Sequence, residues 1–428
     1  MDTVTEYDTA ITMARNGGIG ILHRFLSVEE QVKMVETVKR AESHIIDHPY
    51  TMRPHQKIGE LRDMMQEKGV GSILVTDEAN KLIGIITSRD IRFVEKESDL
   101  ICDHMTKAER LITAKKGISF EEAKKKVQEN KLEQLPLVNE NYQLSGLITS
   151  KDIINTSQRP HASLDSRGRL LVGAAVGVKD GDVDRAIALV ESGCDVLVID
   201  VAHGHSSLAI EATRQIKKAL PNVDLIAGNV ATGEGTKALI DAGADGIKVG
   251  VGPGSICITR LVAGCGIPQL TAIMDCVEEA NKQNVPIIAD GGIKTSGDIS
   301  KAIGAGASTV MIGNLLAGTD ESPGKTFVKG GKKVKIVRGM AGYGANMSKN
   351  ARISGKDDIF DLVPEGVEAV VPYRGPLTGI IKQLIGGLCS GMSYSGACTI
   401  PEMHEKAEFV RITGASIKES GSHDVTLL

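Results

Sequence analysis

From Leu171 onward the sequence repeats one pattern, a short aliphatic run followed by an amphipathic stretch. The runs are Leu171–Val176, Asp195–Asp200, Asp224–Gly228, Gly246–Val249, Pro286–Asp290 and Thr309–Gly313. Between them lie Asp182–Glu191, Ser207–Leu220, Gly233–Ala242 and Ile273–Gln283, with apolar residues at helical spacing. Near-continuous apolar strands alternating with helices imply a parallel sheet buried on both faces. Six such units in a row, with strands ending in Gly, Asp or Asn, favour an α/β fold of the (β/α)8 TIM-barrel type over an open sheet. Asp200, Asn229, Gly250, Asp290 and Gly313 then fall at strand C-termini, where such barrels place their sites. Residues 1–48 supply another piece of the same layer, with helix and strand over Ala10–His23 and a helix over Ser27–Ala41. Counted this way, the barrel lacks its first strand, because Met1–Glu6 begins where that strand should already have ended.

Residues 49–160 break the pattern with an internal repeat. Gly84-Ile-Ile-Thr-Ser-Arg-Asp-Ile91 returns as Gly146-Leu-Ile-Thr-Ser-Lys-Asp-Ile153. The two copies cover about 49–97 and 105–157, each a helix–strand–turn–strand–helix unit that is complete only as a pair. The Thr-Ser-(Arg/Lys)-Asp turn reads either as a helix cap or as half of a nucleotide cleft in which Asp90 and Asp152 hold ribose hydroxyls. Residues 161–428 return to the barrel.

Chemistry concentrates in Gly250-Val-Gly-Pro-Gly-Ser-Ile-Cys-Ile-Thr259, directly after a strand. Alternate glycines let a backbone turn sharply and offer its polar groups to a ligand. A cysteine in such a loop is placed for nucleophilic attack, although a lone cysteine is more often a small buried residue. Ser255 and Thr259 on either side favour the nucleophile. The nearly even charge, 50 Lys and Arg against 54 Asp and Glu, indicates no obligatory nucleic acid or membrane partner. Seven cysteines without tight spacing argue against a disulfide scaffold or zinc site and fit a reducing cytoplasm. The six other than Cys257 read as structural, and the Lys329–Lys335 charge run reads as a solvated hairpin.

Taken together, Gly252–Arg260, Gly266-Ile-Pro-Gln269, Asp290-Gly-Gly-Ile293, Leu316–Pro323, Arg338-Gly-Met340, Pro364-Glu-Gly366 and Lys418–Val425 resemble the IMP dehydrogenase/GMP reductase family. The inserted repeat is similar to the CBS-domain pair that this family carries there. The resemblance spans essentially the whole chain. It implies that Cys257 attacks C2 of a purine nucleotide, with Thr259 serving the water or leaving-group step. Ser255, Asp290, Gly291, Gly292, Gly313, Asn314, Gly339, Met340 and Glu365 would hold the nucleotide. Asp200, Asn229, Gly250 and Gly252 would face NAD, with His203 near. The carbonyls of Gly252, Gly254 and Cys257, with Glu419, Ser420 and Gly421 from a neighbouring subunit, would form a K+ site in a homotetramer. Adenine or guanine nucleotides would be the effectors of the CBS pair.

The family divides into two reactions. The dehydrogenase oxidises IMP to XMP with NAD and needs a flap base, usually Arg followed by Tyr. The reductase deaminates GMP with NADPH. Residues 341–362 resemble the flap and supply Arg352, but Ile353 follows it, and Val337 replaces a Tyr usual before Arg-Gly-Met. Asp361–Gly366, Val371–Gly375 and Ala407–Arg411 resemble the dehydrogenase, and on balance the sequence leans that way. GMP reductase is the alternative. A nucleotide sensor with an inactive barrel is a third reading, motivated by the absent strand and the altered flap.

Overall fold

The computed structural model describes residues 1–41, 45–47, 49–342, 345 and 364–421. The chain divides into two compact units, one of Met1–Met13, Gly20–Glu36 and Val172–Leu428, the other of Ala14–Ile19 and Thr37–Leu171.

In the first unit, seven strands form one sheet in the order Gly20–Leu22, Val172–Val176, Val196–Asp200, Asp224–Val230, Gly246–Val249, Ile287–Asp290 and Thr309–Met311. Every neighbouring pair is parallel. Parallel neighbours need a crossover to return the chain, and the intervening helices supply it. Those helices are Asp182–Glu191, Ser207–Ala219, Gly233–Asp241, Gln269–Ala280 and Ser296–Gly304. All of Val172–Val176 and Gly246–Val249 is buried, as strands covered on both faces require.

Local chemistry fixes where the helices start. Ser206 Oγ accepts the Ala209 N–H at 3.3 Å, and Thr232 Oγ1 accepts that of Gly235 at 3.2 Å. Thr295 and Asp298 form a reciprocal capping box, with Thr295 N donating to Asp298 at 3.0 Å. These caps follow shortly after the strands that end at Asp200, Val230 and Asp290. Because the strands are parallel, those ends lie along a single rim of the sheet.

A smaller antiparallel sheet joins Phe327–Lys329, Lys332–Arg338 and Glu368–Pro372. The Lys329–Lys335 hairpin forms as read, but Lys335 departs from a solvated face and is only 5% exposed. Its Nζ donates to the carbonyls of Thr319 and Ser322, each at 2.7 Å, and burial lowers its pKa from the ordinary lysine value. Carbonyl oxygens substitute there for the water the ammonium has lost.

The second unit shows the sequence repeat as geometry. Ser72–Thr76 pairs antiparallel with Leu82–Thr87, and Gln134–Val138 pairs the same way with Leu144–Thr149. Each hairpin has a register irregularity at the matching place, Val75/Thr76 and Leu137/Val138. One core gathers Ile58, Leu61, Ile73 and Ile86, the other Ala123, Val127, Leu135 and Ile148. A third cluster, Leu74, Leu82, Ile85, Val138 and Leu147, is shared between the copies. Neither copy can bury that face alone, so the repeat folds as a pair.

Candidate active site

Four strand ends meet on one buried ammonium. Lys248 lies in the Gly246–Val249 strand and is 1% exposed. Its Nζ donates to Asp200 Oδ1 at 2.8 Å, to Asp290 Oδ2 at 2.6 Å, and to Asn229 Oδ1. Asn229 closes the ring, its Nδ2 donating to Asp290 Oδ2 at 2.9 Å and to the Gly250 carbonyl at 2.8 Å. Gly228 makes the room, because a Cβ there would lie 2.5 Å from the Lys248 carbonyl oxygen.

Charge follows from that packing. Lys248 holds the Asp200 carboxyl down to about 2 against the opposing effect of burial, with Arg24 adding to the effect. For Lys248, burial by itself would lower the pKa, but the two carboxylates outweigh it and raise it above the ordinary lysine range. Asp200 and Lys248 are therefore ionised across the physiological range.

The cysteine loop is built against a second set of segments. Cys257 N donates to Gly254 O at 3.1 Å in a tight turn, and Cys257 bridges to Gly366 in antiparallel fashion. Ile258 N donates to Glu365 O at 2.9 Å, and Val367 N to Ile256 O at 3.1 Å. This pairing brings Glu365 beside Thr259. Thr259 Oγ1 donates to Glu365 Oε2 at 2.7 Å and lies 3.1 Å from Cys257 Sγ. The threonine proton is committed to the carboxyl, so the thiol proton is directed to the threonine oxygen. A proton path from Cys257 through Thr259 to Glu365 is thus already formed. Gly339 packs on Gly366, where a Cβ would lie 3.1 Å from the Gly366 Cα, and so joins the Arg338-Gly-Met340 turn to the same group.

The remaining residues singled out in the sequence are distributed around this centre. Gly291 and Gly292 have φ of +93° and +80° and pack against Pro253. Gly313 and Asn314 open a turn, their carbonyls accepting from Leu316 and Ala317. Ser255 is exposed at the loop tip. Met340 Sδ accepts from Asp2 N at 3.3 Å. Asn229, read as facing the cofactor, has both ends of its amide engaged within the Lys248 cluster. Asp200 keeps an open side, its side chain 41% exposed. His203 and His205 are both exposed. Arg352 lies outside the described residues. Glu419 ends the Gly414–Glu419 helix, and Glu419, Ser420 and Gly421 are all exposed. Asp90 Oδ2 accepts from Thr87 N and Oγ1 at 2.7 and 2.8 Å, and Asp152 Oδ2 accepts from Thr149 Oγ1 at 2.6 Å. Of the cysteines read as structural, Cys194 and Cys276 are buried and Cys102 is half-buried, whereas Cys265, Cys389 and Cys398 are exposed.

Lys248 stands outside the motifs that mark the site in the sequence. The available signal was one cation in the middle of a four-residue apolar strand, facing a glycine in the neighbouring run.

Comparison with known proteins places the chain among relatives of one family. The IMP dehydrogenase / GMP reductase domain matches residues 1–423. A protein named GMP reductase from Leishmania major is 54% identical over 439 residues, covering 100% of this chain and 89% of the relative. One named inosine-5'-monophosphate dehydrogenase from Nitrosopumilus maritimus is 50% identical over 432 residues, covering 100% and 90%. A solved structure of a GMP reductase variant from Trypanosoma brucei, in complex with guanosine 5'-monophosphate, superposes with a TM-score of 0.87 at 53% identity. It covers 100% of this chain and 89% of that one. Fold and site define an α/β oxidoreductase of the kind that acts on purine nucleotides. The chain belongs to the IMP dehydrogenase/GMP reductase family.

Proposed function

We propose that this protein reductively deaminates GMP to IMP. The observation that carries the reading is the Cys257–Thr259–Glu365 chain, which is complete without any residue of the flap. Cys257 Sγ bonds to C2 of the guanine ring. The C2–amino bond breaks as a proton passes from Glu365 through Thr259 to the departing nitrogen, which leaves as ammonia. A reduced nicotinamide cofactor supplies the hydride that C2 then accepts. Loss of the C2–sulfur bond returns the thiolate and releases IMP. Asp290 and the Gly291–Gly292 turn are suited to the ribose and phosphate, and the open side of Asp200 to the cofactor.

The oxidative direction, IMP to XMP with NAD, is the second reading. The 50% identical relative named as a dehydrogenase and the Val371–Gly375 motif favour it. That reaction must hydrolyse the covalent adduct and so needs an activated water. Ile353 after Arg352 leaves the expected Arg-Tyr base incomplete, whereas reductive deamination needs only a proton donor. An inactive barrel accords poorly with a nucleophile already joined to its proton relay.

The wider arrangement belongs to the same proposal. The parallel sheet is the inner layer of a (β/α)8 barrel, and residues 49–160 are a CBS pair with Asp90 and Asp152 at its nucleotide clefts. The Gly252, Gly254 and Cys257 carbonyls are hard oxygen donors suited to K+. Gly254 O already accepts Cys257 N, so Glu419, Ser420 and Gly421 of a second copy would complete the set in a tetramer.

Purified protein should consume NADPH with GMP in a potassium buffer. NADH formation from IMP and NAD, without that activity, would assign the oxidative direction. Glu365→Gln keeps the contact to Thr259 but cannot pass a proton. It should lower kcat by roughly 10²–10⁴-fold, the usual share of general acid–base catalysis. Nucleotide affinity by calorimetry should stay within about threefold, since the lost role is proton transfer, not binding.

A further inference from the structure

Gln269, the first residue of the Gln269–Ala280 helix, makes two hydrogen bonds through one amide nitrogen. Its Nε2 donates to Val249 O at 2.9 Å and to Asp290 O at 3.2 Å. Val249 is the last residue of its strand, and Asp290 the last of the neighbouring strand. The segment carrying Cys257 leaves the sheet after Val249, makes one helical turn at Thr259–Val262 and reaches the next long helix at Gln269. The bond to Val249 O therefore closes that loop at its base, and the bond to Asp290 O ties the closure to the residue suited to ribose.

The neighbourhood leaves little freedom for this amide. Gly250 has φ of +151°, and a Cβ on it would collide with the Asp290 carbonyl and lie 3.2 Å from Gln269 Nε2. A Cβ on Gly292 would lie 3.6 Å from Gln269 Cβ and Cγ. Turning the amide over would set its oxygen against two carbonyl oxygens, so the donor orientation is fixed by its surroundings. Gln269 Oε1 is buried, with no hydrogen-bond partner among the described residues.

We propose that Gln269 is a positioning residue that sets the distance between the Cys257 thiol and C2 of the bound nucleotide, acting through the loop base and not through contact with substrate. This rests on the covalent reading of Cys257. Misplacement of a reacting group by about 1 Å costs on the order of 10²-fold in rate, whereas binding through the remaining groups is little affected.

Gln269→Met keeps the length and volume and removes the donor. Two readouts separate its role from a structural one. Calorimetry with GMP and with IMP should give dissociation constants within about threefold of the unmodified protein. Peptide-resolved alkylation of Cys257 by iodoacetamide should slow markedly when GMP saturates the unmodified protein. In Gln269→Met, saturating GMP should slow it measurably less, because the displaced thiol is covered less completely by the nucleotide. Turnover in whichever direction the unmodified protein runs should fall by roughly 10–10²-fold. Equal protection of Cys257 in both proteins would overturn the proposal, as would loss of nucleotide binding in the folded variant. If unmodified Cys257 gains no protection from nucleotide, the covalent reading itself fails, and the positioning role fails with it.

Discussion

Lys248→Met is expected to weaken the fold and the site together. Methionine fills a similar volume without charge, so the loss falls on Asp200, Asp290 and Asn229, which all share the ammonium. Removing one partner of a buried ion pair commonly costs about 3–5 kcal/mol. The low end applies here, because the Asp200 and Asp290 side chains are 41% and 25% exposed and water can partly replace the lysine. The effect depends on pH with a definite sign. Asp200 titrates near 2 in the folded protein against 3.8 ordinarily, so its pairing stabilises fully above about pH 4 and is lost as the pH falls towards 2. Lys248, raised above 10.5, keeps its contribution below that pH and loses it only as the pH climbs through the elevated value. Without Lys248, Asp200 loses the first cause of its depressed pKa. The acid limb of a denaturant-derived stability curve should then be shallower between about pH 4 and 2 in Lys248→Met, on a lower plateau. A curve that superposes on that of the unmodified protein would show that the cluster does not stabilise the fold.

Cys257→Ala should abolish turnover in either direction, by at least about 10⁴-fold, since loss of a nucleophile removes the covalent path entirely. The substitution removes only one sulfur atom, and Cys257 is held by its backbone N–H, which donates to Gly254 O, and by its bridge to Gly366, both of which alanine retains. The unfolding midpoint should therefore move little, and GMP should still bind. Residual activity within about tenfold of the unmodified protein would remove Cys257 from the chemistry.

Much of this was legible in the sequence because it depends on spacing. The apolar runs ending at Asp200 and Asp290 mark strand ends directly, and the glycine pattern before Cys257 marks the loop. The doubled Gly-(Ile/Leu)-Ile-Thr-Ser motif marks the paired unit, and its two hairpins carry register irregularities at matching places. What the sequence did not disclose depends on contacts between distant segments. Lys248 reads as an interruption of an apolar strand until Asp200, Asn229 and Asp290 converge on it. Lys335 reads as part of a solvated charge run until the Thr319–Ser322 carbonyls enclose it. Glu365, taken from the family motif as a nucleotide contact, sits 106 residues from Thr259 along the chain and becomes its hydrogen-bond partner. Gln269 belonged to a motif, but its reach to two strand ends has no signature in spacing.

The most direct test of the account is the stoichiometry of the reaction with GMP and NADPH, measured as ammonium released per NADPH consumed with the nucleotide product identified. The account predicts one ammonium for each NADPH, IMP as product, and neither signal from Cys257→Ala. NADH production from IMP and NAD, with no ammonium released from GMP, would contradict it.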